Sequence, residues 1–218
     1  VSQNPVGKLL QSINKSERSS ELFDKLGEVA LDKFLDNDLI KEIPIIGTVI
    51  SLLKAGDDFR AYAFARKIIG FLQEVETVTV EERDRFFEKH CQTPEQLTEL
   101  GETTLMALDK VDHPTLAQMY GRAFALMLKD SEAGKLLFEQ YSYIIKNMSP
   151  YLLRNMGSIY KYSGISTFDT HAAHELCNYG LMEQKIFARV TNKDEMQRTY
   201  MPTEYGRRFY DDIIRPFQ

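Results

Sequence analysis

What is scarce in this chain narrows its class before any motif is read. Only two cysteines, Cys91 and Cys177, stand in 218 residues, so no disulfide framework is expected and a reducing cytoplasm suits the resting protein. There is no basic excess. The 27 Lys and Arg against 32 Asp and Glu leave a formal net charge of -5, which argues against a generic nucleic-acid binder. No glycine-rich phosphate loop with its lysine occurs, and neither does an internal repeat at solenoid spacing or a low-complexity tract. The first twenty residues hold no apolar core of signal-peptide length. Long apolar runs are missing too. The densest uncharged stretch, Ile43 to Leu53, extends about 16 Å as a helix against a hydrocarbon core of roughly 30 Å, too short to cross a membrane alone.

What is present is ordinary globular composition, with 43% hydrophobic and 27% charged residues, at a length suited to one large or two small domains. The pattern is organised around LIKEIPIIGTVISLLKAG, residues 39 to 56. Placed on a helix opening at Pro44, Ile45, Ile46, Val49, Ile50, Leu52 and Leu53 cover one broad face. The opposite side carries Gly47, Ser51 and Ala55 at i, i+4 spacing, a small-residue seam of the kind that lets another helix backbone approach closely. Pro44 fits the first turn, where the N–H it lacks needs no partner. With Ile43, these residues are the candidate membrane-engaging and oligomerising surface, and Pro44 and Gly56 are its candidate hinges. A basic, aromatic helix follows over roughly 58–74, with Phe59, Arg60, Tyr62, Arg66, Lys67 and Phe71. Residues 39–73 are thus a candidate helical hairpin with its corner at Gly56.

Along the chain the fold class reads as mainly α, a helical bundle followed by a C-terminal winged helix-turn-helix with one β-hairpin. Residues 1–18 look polar and loosely held. Residues 19–162 are expected to be the helical domain, beginning with an amphipathic helix marked by Leu22, Phe23, Leu26, Val29, Ala30 and Phe34. Thr79-Val80-Glu81-Glu82 and Thr93-Pro94-Glu95-Gln96 are capping boxes, and Asp112-His113-Pro114 starts a further helix on which Ala117, Gly121 and Ala125 repeat the small-residue spacing. From Ser163-Gly164 the texture changes. Residues 163–218 are expected to hold a helix ending near Gly180, strands within Lys185–Val190 and Gln197–Met201, and a last helix from Thr203 carrying Phe209, Ile213 and Ile214, with the helix starting near Ser149 supplying the first part of the winged helix-turn-helix.

Chemistry is thin. The expected reading helix, Phe168 to Tyr179, has no Lys or Arg, while phosphate contacts need basic groups and major-groove readout leans on Arg, Lys, Asn or Gln. Arg189, Lys193 and Arg198 in the wing are candidate partner-binding residues, diluted by Asp194 and Glu195, so specific DNA is not expected as a ligand and a protein contact is. His171, His174 and Cys177 share a helix face but give three ligands where a closed zinc site wants four, so no metal is expected. His90 and Cys91 are adjacent in sequence, which aims their side chains apart. No catalytic residue and no cofactor is expected, and a non-enzymatic protein is the reading.

Three stretches carry a resemblance: EIPIIGTVISLLKAGDDFRAYAFARKIIGFLQEVETVTVEERDRFFEK, GETTLMALDKVDHPTLAQMYGRAFALMLK, and the tail HELCNYGLMEQKI with TYMPTEYGRRFYDDI. They resemble small bacterial proteins of prophages and phage-defence neighbourhoods. The whole, from about Leu22 onward, is similar to abortive-infection proteins of the ring-activated immunity type. The resemblance implies a protein that is soluble and cytoplasmic at rest, forms a homo-oligomer on a ring-shaped phage structural protein, and then damages the inner membrane. It implies no catalytic residues. From another class, the alternative is a prophage regulator or adaptor whose winged helix binds nucleic acid or protein.

Overall fold

The computed structural model describes residues 4–15, 43–53, 58–129, 132–161, 170–188 and 196–217. Among them lie ten α-helices and one antiparallel hairpin near the C-terminus, so the protein is mainly helical. The chain divides into two compact units, Val1–Lys146 and Asn147–Gln218. The boundary thus falls earlier than the expected 162/163. The helix that opens at Pro150 belongs to the second unit.

In the first unit, α1 (Pro5–Lys15) is followed by α2 (Pro44–Leu53), α3 (Asp58–Val75), α4 (Val80–His90), α5 (Pro94–Lys110), α6 (Pro114–Leu128) and α7 (Glu132–Asn147). Residues 1–18 were expected to be loosely held, yet they contain α1. Its buried stripe is Val6, Leu9, Ser12 and Ile13, with Leu10 half-buried beside it and Gly7, Gln11 and Lys15 exposed. Asn4 caps its start, its Oδ1 accepting the Val6 N–H at 3.1 Å. The amphipathic helix expected around Leu22–Phe34 lies outside the described residues.

Local chemistry accounts for most helix starts. Thr79 and Glu82 satisfy one another's backbone N–H groups at the head of α4, and Thr93 and Gln96 do the same for α5, as a capping box requires. The His113 ring accepts the Thr115 N–H ahead of Pro114. The core of the unit is the α3–α6 pair, the most extensive helix contact among the described residues. Gly121 makes it possible: a Cβ there would run into the backbone carbonyl of Phe71. Around that crossing Phe71, Tyr120, Phe124 and Phe138 form a ring cluster with centroids 5.2–5.9 Å apart. The Tyr120 hydroxyl faces Thr104 and Ser142, and burial lifts its pKa well above the ordinary tyrosine range. Polar groups at the same interface are matched, Gln118 to Gln73 at 3.0 Å and Arg122 to Glu74 at 3.4 Å.

The second unit runs α8 (Pro150–Lys161), α9 (Thr170–Asn178), β1 (Met182–Ala188), β2 (Met196–Pro202) and α10 (Glu204–Phe209), continued by a π-turn at Tyr210–Ile214 and a 3-10 turn at Arg215–Phe217. The strands start three and one residues before the expected ranges, pairing from Met182 with Pro202 to Ala188 with Met196. Gly180, at φ 69°, ends α9 as expected: its N–H reaches Cys177 O and the next N–H reaches Leu176 O, the double bond of a Schellman motif. The hairpin base is held on one carbonyl. Leu181 O accepts the Tyr160 hydroxyl at 2.6 Å and the Thr203 N–H at 3.1 Å. Gly206 is required beside it, because a Cβ would strike that carbonyl and that hydroxyl. Phe209, Ile213 and Ile214 are fully buried.

Candidate functional site

The apolar helix α2 buries one face as its sequence suggests, and among its described side chains only Ser51 is exposed. Ile45, Ile46, Val49 and Ile50 are between 0% and 5% exposed. Thr48 is buried with them and returns its hydroxyl to Pro44 O at 3.0 Å. Burying large aliphatic side chains of this kind stabilises by about 1.5–3 kcal/mol each, so the face is a substantial part of the first unit's core. Pro44 and Ile43 are half-buried, and Ile43 O accepts the Gly47 N–H at 3.1 Å. The seam points outward: Ser51 is exposed, Gly47 is half-buried, and the Ser51 hydroxyl is turned back onto Gly47 O at 2.7 Å. Leu52 and Leu53 complete the helix, with side chains outside the described set. Ala55 and the Gly56 hinge also lie outside the described residues.

Two helices share the buried face. α1 and α3 pack on α2 equally, ahead of its other described neighbours. Helix ends leave backbone groups without intrahelical partners, and here other helices supply them. Ser12 of α1, itself 2% exposed, accepts the Ile45 N–H at 3.3 Å, completing the head of α2. Arg83 of α4, also 2% exposed, donates to Ile13 O at 2.6 Å, completing the tail of α1. Lys67 of α3 donates to Asp109 O and Val111 O, both at 3.0 Å, at the tail of α5. Burial draws the Lys67 pKa down, opposed by the charges of Asp109 and Asp112. A cation at a helix C-terminus also complements its dipole. Sequence reading missed α1 and therefore this arrangement. Its signals were the Asn4-Pro5 cap and the Val6, Leu9, Ile13 stripe.

The basic, aromatic helix α3 is divided by its depth. Phe59 and Arg60 at its start are exposed, whereas Ile68, Ile69, Phe71 and Leu72 are fully buried. Arg66 lies over the Tyr62 ring at 5.6 Å and Lys67 over Phe64 at 5.3 Å. Its cations are thus partly used inside the unit.

Elsewhere, His90 and Cys91 line one cavity of about 400 Å³ floored by Phe86, Leu100, Met127 and Phe138. They do not pair. The Lys135 ammonium donates to His90 Nδ1 at 2.7 Å, and burial pushes the Cys91 thiol up, away from the reactive thiolate. His171 meets Glu175 at 3.5 Å, and the Cys177 thiol is likewise raised by burial. Among the described residues no group of three or more His, Cys, Asp or Glu is disposed to hold a metal. Of the residues expected in a wing, Arg189 and Lys193 lie outside the described residues, and Arg198 stands opposite Ile186 in the hairpin register. Among the described residues no helix is long and apolar enough to cross a membrane. Comparisons with family models, with curated proteins and with solved structures return no match for this chain.

Proposed function

We propose that the protein is a non-enzymatic phage-defence effector that forms a homo-oligomer on a phage structural protein and then disrupts the inner membrane through α2. One observation carries the reading: α2 hides a continuous isoleucine and valine face while, of the small-residue seam, Ser51 is exposed and Gly47 half-buried. A seam of that kind suits helix-to-helix assembly. At ten residues the helix spans about 15 Å, half the hydrocarbon thickness. It therefore acts by lying in one leaflet or by joining copies, with α3 behind it presenting Phe59 and Arg60 at the bilayer surface.

The second unit is the sensor in this reading. α8, α9, the β1–β2 wing and α10 follow the order of a winged helix-turn-helix, and α9, THAAHELCN, brings Asn178 but no Lys or Arg to its surface. That favours a protein contact over DNA readout. A regulator or adaptor built on the same unit is the competing assignment.

The test sets dye leakage from phosphatidylethanolamine–phosphatidylglycerol liposomes against a duplex gel shift at physiological salt. In cells, candidate phage structural proteins are co-expressed while membrane potential and survival are followed. Leakage and depolarisation without a gel shift support the effector. A salt-resistant, sequence-dependent shift without leakage replaces it with the regulator.

A further inference from the structure

We infer that α1 is an intramolecular latch on α2, an autoinhibitory contact whose release is the step that frees the apolar face. This inference rests on the effector reading above. Three independent features support it. α1 is one of the two helices that pack most heavily on α2, so its departure strips one of the face's two main supports. It completes the head of α2 through Ser12 and has its own tail completed by Arg83. Each helix therefore has an end satisfied only while α1 is seated. And α1 is short: Val6, Leu9 and Ile13 are buried and Leu10 half-buried against α5, on an eleven-residue helix, a length that is marginal as an isolated helix in water. A short helix that needs its neighbours to persist belongs to the low-stability end of a fold, where local opening occurs.

The seat of α1 supplies its own probe. At Gly101 on α5 a Cβ would stand 2.5 Å from Val6 Cγ1. The two Cβ positions thus lie within about 4 Å, inside the ~3.5–4.5 Å span of a disulfide, and Val6→Cys removes the methyl that stands in the way. Val6→Cys with Gly101→Cys, in a Cys91→Ser, Cys177→Ser background, therefore pins α1 to α5 when oxidised. The latch is loosened instead by Ser12→Ala, which leaves the Ile45 N–H without its partner and raises hydrogen exchange of the α1 and α2 amides by about fivefold, the usual effect of losing a cap.

The experiment combines the two changes and reads hydrogen exchange together with dye leakage from phosphatidylethanolamine–phosphatidylglycerol liposomes. The Ser12→Ala protein is expected to leak dye faster than the parent, the oxidised staple to silence it and slow exchange across Ile45–Ile50, and reduction to restore both. A staple that forms fully yet leaks dye as fast as its reduced form overturns the latch, because α2 then works with α1 seated. Should parent, loosened and reduced proteins all fail to leak even with a phage structural protein that depolarises co-expressing cells added, the membrane reading falls on its own account, and exchange decides the latch. α1 and α2 amides that open as one unit retain it. α2 amides that open while α1 stays protected refute it.

Discussion

At the scale of single residues, the fold depends on side chains that are absent as much as on those present. Gly121→Ala places a methyl against the Phe71 backbone, which cannot withdraw without parting α3 from α6. The expected loss is in the overpacking range of about 1–3 kcal/mol, read as a lower midpoint in urea unfolding. Gly7 on α1 is the control, since nothing lies within 4 Å of its Cβ position. Gly7→Ala should stabilise, by up to about 1 kcal/mol from helix propensity alone. Glu74 gives a prediction in pH. Burial raises its pKa from the ordinary 4.5, with the charge and hydrogen bond of Arg122 opposing. The folded state thus holds this proton more tightly than the unfolded chain. Its contribution to stability is fullest below pH 4.5 and is lost as pH rises through the folded value. Glu74→Gln removes that loss, so the variant's unfolding midpoint should gain on the parent's between pH 4 and pH 7. A gain in the other direction would show that the pairing with Arg122 outweighs burial.

At the scale of elements, the seam of α2 is the sharpest test. Because Ser51 is exposed, Ser51→Leu should leave the unfolding midpoint within about 0.5 kcal/mol of the parent, as surface changes usually do. If copies join through this face, the folded variant should nevertheless lose oligomerisation and liposome leakage together. A folded Ser51→Leu protein that assembles and leaks like the parent removes the seam from the mechanism. The seam also shows how far sequence reading reached. The periodicity located α2 and its apolar face, and the small-residue spacing recurs on α6, but spacing alone does not say what each seam meets. Gly121 packs on α3, and Ser51 faces water. Helix starts were legible because Thr79, Thr93, His113 and Thr203 act within three residues of themselves. The bonds of Ser12, Arg83 and Lys67 were not, because they join residues 33 to 70 positions apart, and no local pattern encodes such a pairing. The π-turn was hidden likewise. Arg215 N–H reaches back five residues to Tyr210 O, and nothing in YDDII distinguishes that from an α-helical turn.

At the scale of the whole molecule, an acidic chain whose α9 carries no Lys or Arg should not hold duplex DNA. Filter or gel binding at physiological salt is expected to show no sequence-dependent complex at nanomolar protein. A tight complex whose affinity survives added salt would contradict that, since a phosphate-driven contact weakens steeply with ionic strength. The same scale shows what completing helix ends from afar does during synthesis. Arg83 follows Ile13 by 70 residues, so at about 5–20 residues per second several seconds separate the making of α1 from the making of the group that finishes it. For that interval the tail of α1 is unfinished and its seat on α4 and α5 is missing, so the cover it gives the apolar face of α2 is incomplete. If the effector reading holds, a nascent chain is most dangerous to its own membrane before α4 and α5 have left the ribosome, and slowing translation between Leu53 and Lys110 should be more toxic than slowing it after.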